Sequence, residues 1–90
     1  MNWFEIYYQH ATKLPSDAQV SILLALSWAR PIADGIVVIE DLDAKAAHVG
    51  FTGRLLPGLY AAAAAGWLAP IEVLADGSLR TRLTLPAGVV

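Results

Sequence analysis

Few residues of this sequence could do chemistry, and its histidines and acids do not form a catalytic pattern. His10 and His48 are the only histidines, and no metal-ligand spacing surrounds them. The acids Glu40, Asp41 and Asp43 lie together at the start of an apolar helical pattern, where the helix dipole accounts for them. No phosphate-cradling glycine loop and no nucleophile motif is present. We therefore expect a protein that is not an enzyme and that uses no cofactor or metal.

Basic side chains are the other candidates, and they are few. From residue 45 onward the chain contains Lys45, Arg54, Arg80 and Arg82 as its only lysine and arginine residues. The formal net charge of −2 argues against a strongly cationic nucleic-acid binder, although a local basic patch is compatible with it.

Composition indicates one compact domain with an apolar surface. At 90 residues the chain has room for a single modest core, and 57% of its residues are hydrophobic while 16% are charged. Such a surface on a small domain favours a partner or a self-interface. The sequence contains no cysteine, which excludes a disulfide framework and a cysteine-based zinc site.

The same composition gives no sign of export or membrane insertion. The first ten residues lack the basic region and apolar core of a signal peptide. The run Leu55–Ile71 is free of charge, but two prolines and two glycines interrupt it. We expect no membrane association and a cytoplasmic location.

Four helices are predicted between residues 2 and 66. Asn2 and Glu5 suggest a capping box for the first, and Ser16 with Gln19 suggests another for the second. Pro31 is expected to stop the second helix. Two neighbouring sides of this helix are apolar, which indicates a central helix; one side has Val20, Leu23, Leu24 and Trp28, and the other has Ile22, Leu26 and Ala29. A third helix follows the acids and ends at Gly50, and the fourth ends at Gly66.

Three strands are predicted around these helices. "IVVI" at residues 36–39 is a short β-branched strand that follows the turn "ADG". Near the end, Ile71–Leu74 and Leu79–Leu85 flank Asp76-Gly77, a strong hairpin signal. Alternation in the last strand points its leucines one way and Arg80 and Arg82 the other. Trp67 and Leu68 are expected in the core.

The order helix, short strand, helix, turn, helix, hairpin over residues 16–86 resembles the winged helix-turn-helix family. Ala46 and Gly50, four residues apart, suit the close crossing and turn of its third and fourth helices. "AAAAAGWLAP" before a hairpin is similar to the helix end and wing start of such domains. The resemblance implies an α+β fold with a three-helix core, a short N-terminal helix and a small antiparallel sheet ending in a β-hairpin wing. Residues 1–90 would form one domain.

The chain departs from the family pattern at two positions. Lys45 stands where the motif usually has an apolar residue, and Pro57 falls where the recognition helix should be continuous. We therefore expect the fourth helix to start near Pro57, after a turn "FTGRLL" that presents Arg54.

The resemblance implies binding of double-stranded DNA, with the fourth helix in the major groove and the wing on the backbone or minor groove. Five residues would make the contacts: Thr52 and Arg54 at the start of the helix, Arg80 and Arg82 on the wing, and Lys45 on a phosphate. Charges on an exposed hairpin also serve simply to keep it soluble and unpaired. A transcriptional regulator or accessory factor is one hypothesis, and a winged-helix protein-interaction module without DNA contact is the other.

The first helix suggests self-association. It carries Trp3, Phe4, Tyr7 and Tyr8, more aromatic surface than one short contact can hide. One face should cover the domain and the other should be free for a second copy. We expect a homodimer in which residues 1–12 are the dimerisation element and these four aromatics form the interface. A different protein partner is the alternative.

Overall fold

The structure, a computed structural model, describes residues 2–86, without the side chain of Asp17. Over these residues it is an α+β fold with four α-helices and an antiparallel sheet of four strands. The expected fold class is confirmed at this level. The elements in chain order are α1 (Trp3–Gln9), a 3₁₀ turn (Ala11–Lys13), α2 (Ser16–Trp28), β1 (Arg30–Ala33), β2 (Ile36–Ile39), α3 (Leu42–His48), α4 (Leu55–Ala64), β3 (Leu68–Val73) and β4 (Leu79–Leu83).

The sheet has the order β1-β2-β4-β3, and its helices cover one face. The predicted hairpin is present, with Val73 opposite Leu79, and β2 lies beside β4 as expected. At the tip, the Asp76 carboxylate accepts hydrogen bonds from the Ser78 hydroxyl and backbone N–H, which lower the pKa of Asp76. Leucine side chains of β4 face the helices, while Arg80 and Arg82 face solvent.

One strand was not predicted. The chain leaves α2 at Trp28 and forms β1, which contains Pro31 and pairs with β2 through the expected turn at Asp34 and Gly35. The helix ends before Pro31, as predicted, with Ala29 as its C-cap, and Pro31 itself lies in an edge strand. An edge strand tolerates proline because one side of its backbone has no neighbour to receive an N–H.

The start of α2 corrects a second prediction. Ser16 is the first helical residue, Pro15 occupies the cap position, and no side chain caps the helix. Gln19 donates instead to the backbone carbonyl of Leu14 at 3.2 Å, so the predicted capping box does not form. In α1 the predicted cap forms, since Asn2 Oδ1 accepts from the Glu5 N–H at 3.1 Å, but the Glu5 carboxylate accepts from the Asn2 side-chain amide at 3.4 Å and not from its backbone N–H.

Helix α2 fully buries Ile22 from the second expected side, whereas Leu23, Leu24 and Trp28 of the first side are only partly buried. Its buried residues are the small or compact ones at positions i, i+3, i+4 and i+7: Ala18, Ser21, Ile22 and Ala25. Val20 of the first side is 52% exposed. The buried side is narrow because α2 packs closely against α4, and small side chains permit that approach.

Helix α4 begins two residues earlier than predicted. Leu55 is its first residue, and Pro57 stands third. Proline fits there because the N–H groups of the first turn have no intrahelical carbonyl to bind. The helix ends as expected at Gly66, with φ +92°, where the N–H groups of Gly66 and Trp67 bind the carbonyls of Ala63 and Ala62.

The core lies between α1, α2, α4 and the sheet. Trp67 and Leu68 are buried in it, as predicted, and Tyr7 of α1 is 0% exposed. The Tyr7 hydroxyl contacts the backbone carbonyls of Trp67 and Thr84 and accepts a hydrogen bond from the Thr84 N–H. Tyr7 therefore holds α1 against the end of the sheet.

Candidate functional site

Arg80 and Arg82 of the β3–β4 hairpin lie on the solvent face of the sheet, where acids accompany them. Glu72 stands opposite Arg80 across the β3–β4 pair, and its carboxylate accepts from Arg80 Nη2 at 2.8 and 3.1 Å. Arg30 on the edge strand makes a similar pair with Glu40 at 2.7 Å. Both pairs are about half exposed, so each contributes at most about 1 kcal/mol to stability. Their main consequence is to neutralise two of the arginines on this face.

Arg82 is the remaining arginine of that face. Its cross-strand neighbour is Ile36, and the described residues place no carboxylate within ion-pair distance of its guanidinium. A depression on this face is lined by Ile32, Ile36, Pro70, Glu72, Arg80, Thr81 and Arg82. Among the described residues of the β3–β4 hairpin, Arg82 is thus the cation without a carboxylate partner, and apolar side chains lie beside it.

Arg54 lies on the other side of the core, in the helical layer. It is the residue before α4, its side chain is exposed, and its carbonyl accepts from the Gly58 N–H at 3.2 Å and the Ser21 hydroxyl at 3.4 Å. Thr52 is exposed in the same turn. Helix α4 packs on the face of the sheet opposite to Arg80 and Arg82, so the structure does not bring these arginines together.

Lys45 lies in a third location, away from both the sheet face and the turn before α4. It lies on α3, half-buried, in a shallow hollow with Trp28, Asp41 and His48. The five residues predicted to contact DNA are therefore distributed over a turn, a sheet face and a helix, instead of forming one basic surface.

The exposed side of α4 is apolar. Pro57, Tyr60 and Ala64 are exposed, Tyr60 to 50%, and Ala61 is partly exposed beside them. We call these four residues the α4 face. It carries no ionisable side chain except the phenol of Tyr60.

Next to the α4 face runs a groove of about 550 Å³ between the N-terminal halves of α2 and α4, which we call the α2–α4 groove. Apolar side chains form most of its wall, and Arg54 lies at its edge. Its lining residues are Ser16, Val20, Phe51, Gly53, Arg54, Pro57, Gly58 and Ala61. The sequence indicated a charge-free fourth helix but not this groove, since the groove depends on Val20 facing outward.

Helix α1 divides its aromatic residues between core and solvent. Tyr7 is in the core and Trp3 packs against it, so neither offers the free surface that a dimer interface requires. Phe4 and Tyr8 are 45% and 65% exposed, and their rings stack with centroids 6.4 Å apart. Of the four predicted interface residues, these two present an apolar surface, which we call the α1 face.

Comparison with known proteins identifies no relative: the chain matches no protein-family model, no curated protein sequence and no solved structure. Among the described residues, no helix has both the length and the apolar content needed to cross a membrane. Nor do three or more of their histidine, aspartate or glutamate side chains gather at one place where they could hold a metal ion.

Proposed function

We propose that this protein is a protein-interaction module of winged-helix architecture that binds an apolar segment of a partner on the α4 face and in the α2–α4 groove. The order α2, β2, α3, α4, β3, β4 and the pairing of β2 with the β3–β4 hairpin support the architecture. The observation that carries the function is the apolar solvent side of α4.

A helix that enters the major groove of DNA needs cationic or amide side chains along its exposed side, because it meets phosphates and base edges there. The α4 face has Pro57, Tyr60, Ala61 and Ala64 in those positions. A protein partner suits this surface better, because burying apolar area and an aromatic ring is the main source of affinity between proteins.

The test is binding of helical peptides selected from a phage-displayed library on the immobilised protein. The double variant Val20→Gln/Tyr60→Ser removes apolar area from the groove and the α4 face without touching the core. We expect it to weaken the selected peptides by at least about 10-fold, since buried aromatics dominate such interfaces. Val73→Ser, at an exposed position of the hairpin, is the matched control and should leave binding unchanged.

Binding of double-stranded DNA is the second candidate, and the exposure of Arg54 and Arg82 favours it. If the protein binds DNA, the triple variant Arg54→Ala/Arg80→Ala/Arg82→Ala should bind more weakly. The slope of log affinity against log salt should then fall by about 0.9 for each phosphate that an arginine no longer neutralises. A fluorescence titration on mixed-sequence duplex at low and moderate salt measures both quantities. Equal binding by the two proteins, or no binding at low salt, would exclude these DNA contacts and leave the protein-interaction module as the remaining candidate.

A further inference from the structure

We propose that the occupant of the α2–α4 groove is the α1 face of a second copy of this chain, and that two copies exchange these contacts reciprocally. The inference rests on the proposed function, because both use the same groove. It identifies the partner of the groove as a second copy of this chain.

The first argument is the distribution of exposed apolar side chains. Seven large hydrophobic side chains are exposed among the described residues: Phe4, Tyr8, Val20, Ile32, Val49, Tyr60 and Val73. Phe4 and Tyr8 lie together on α1, and Val20 lines the groove while Tyr60 lies on the adjoining α4 face. The first pair is a ridge formed by two stacked rings, and the second pair flanks a concave surface. A ridge of aromatic side chains fits into a groove, whereas two ridges leave a gap on each side when they meet.

The second argument is charge. Glu5 lies on α1 between Phe4 and Tyr8 in sequence and is exposed, with a hydrogen bond of 3.4 Å to the Asn2 side chain. Arg54 stands at the edge of the groove. An acidic residue on the ridge and a basic residue beside the groove are complementary, and this complementarity fixes one orientation of α1 in the groove.

The third argument is that α1 of the same copy cannot reach the groove. Tyr7 holds α1 to the backbone of Trp67 and Thr84 at the end of the sheet, and the α1 face points away from the core. A second copy can supply both surfaces. If each copy gives its α1 to the groove of the other, all four apolar surfaces are buried and the assembly closes as a twofold dimer.

The sheet offers no comparable route to self-association. Its edge strands are β1 and β3, and each contains a proline, Pro31 and Pro70 respectively. Each proline removes one N–H from the edge, and this discourages the pairing of strands between molecules.

Sedimentation velocity of the full chain at micromolar concentrations tests the inference. The wild type should sediment as a dimer. A ridge variant, Phe4→Ser/Tyr8→Ser, and a groove variant, Val20→Gln/Arg54→Glu, should each dissociate at least about 30-fold more readily, because each removes central contacts from both interfaces. Val73→Ser should remain dimeric, and circular dichroism should show that all variants are folded.

Mixing the two variants gives the decisive result. The groove of the ridge variant and the α1 of the groove variant are both intact, so an equimolar mixture should form a heterodimer through one wild-type interface. A dimer formed by α1 against α1 would gain nothing from mixing. A charge exchange adds detail: Glu5→Lys or Arg54→Glu alone should weaken the dimer about 5-fold, and the double exchange should restore it.

The possible failures separate this inference from the proposed function. A monomeric wild type at high micromolar concentration overturns the inference, and so does a mixture of variants that stays monomeric. If the groove of the ridge variant still binds selected helical peptides, the interaction module stands with another partner. If no peptide binds and the wild type is monomeric, both proposals fall.

Discussion

Tyr7 shows how one side chain can connect distant parts of this small domain. Its ring meets Trp67 edge-on with centroids 5.2 Å apart, and its hydroxyl reaches the backbone at Trp67 and Thr84. Trp3 packs edge-on against its other side, at 6.1 Å. A residue that the sequence predicted at an interface is therefore a structural one.

Replacing Tyr7 by phenylalanine should lower the free energy of unfolding by about 1–2 kcal/mol. The Thr84 N–H keeps its hydrogen bond to the Trp67 carbonyl at 2.9 Å, whereas the part-buried Thr84 carbonyl loses the bond that the Tyr7 hydroxyl donates to it. The loss of one such hydrogen bond costs about that much. Urea denaturation of the two proteins measures the difference. Tyr8→Phe is the control and should change stability little, because Tyr8 is exposed.

Tyr7 should also make stability depend on alkaline pH. Burial raises the pKa of Tyr7 well above its ordinary value of 10.0, against a smaller opposing effect of the Thr84 hydrogen bond. Below pH 10 the phenol is neutral in the folded and unfolded chains and contributes no pH dependence. Above pH 10 the unfolded chain releases the proton while the folded chain retains it, so the free energy of unfolding falls as pH rises. Tyr7→Phe should flatten this alkaline slope and Tyr8→Phe should not.

At the scale of the elements, glycines set the ends of α3 and α4. Gly50 and Gly66 both have positive φ, at +71° and +92°. In each case the N–H groups of the glycine and of the residue after it bind the last carbonyls of the helix in a Schellman motif. Gly50 ends α3 ahead of the turn that leads into α4, and Gly66 ends α4 ahead of β3. Together they determine the position of the α4 face.

Gly66→Ala should destabilise the protein more than Gly77→Ala. Both glycines have a left-handed backbone, at φ +92° and +86°, so both substitutions introduce strain of about 1–2 kcal/mol. A Cβ at Gly66 would in addition stand 3.2 Å from the Pro86 Cβ, whereas a Cβ at Gly77 meets no atom within 4 Å. Thermal unfolding of the two variants measures the difference. Equal destabilisation would mean that the approach to Pro86 has no cost.

At the scale of the whole molecule, α1 has two roles that the sequence does not separate. Its inner side completes the core through Trp3 and Tyr7, and its outer side presents Phe4 and Tyr8. Deleting residues 1–12 therefore removes core as well as surface. We expect the truncated chain to lose its cooperative thermal transition, as followed by circular dichroism.

The ridge variant Phe4→Ser/Tyr8→Ser is the matched control for that deletion, because it removes the exposed rings alone. It should keep a cooperative transition. A truncated chain that unfolds as cooperatively as the full one would show that α1 belongs to the surface and not to the core.

Local signals in the sequence determined the elements that depend on neighbouring residues. The cap at Asn2, the glycine stops, the β2 strand, the hairpin around Asp76-Gly77 and the alternation of Arg80 and Arg82 are all present as predicted. Each depends on backbone conformations or side-chain periods that a few adjacent residues set.

Only the tertiary structure decided which side of each element is buried and which side chains meet. Val20 faces solvent because α2 uses its alanines and Ser21 against α4, and β1 exists because β2 offers it an edge. Arg54 and Arg82 lie on opposite sides of the core, because helix packing and the pairing of β2 with β4 place them there. These arrangements join residues far apart in the chain through close packing, which no local pattern encodes. The sequence therefore predicted a surface with few basic residues, but it could not predict the apolar α2–α4 groove, because that groove depends on which side of α2 is buried.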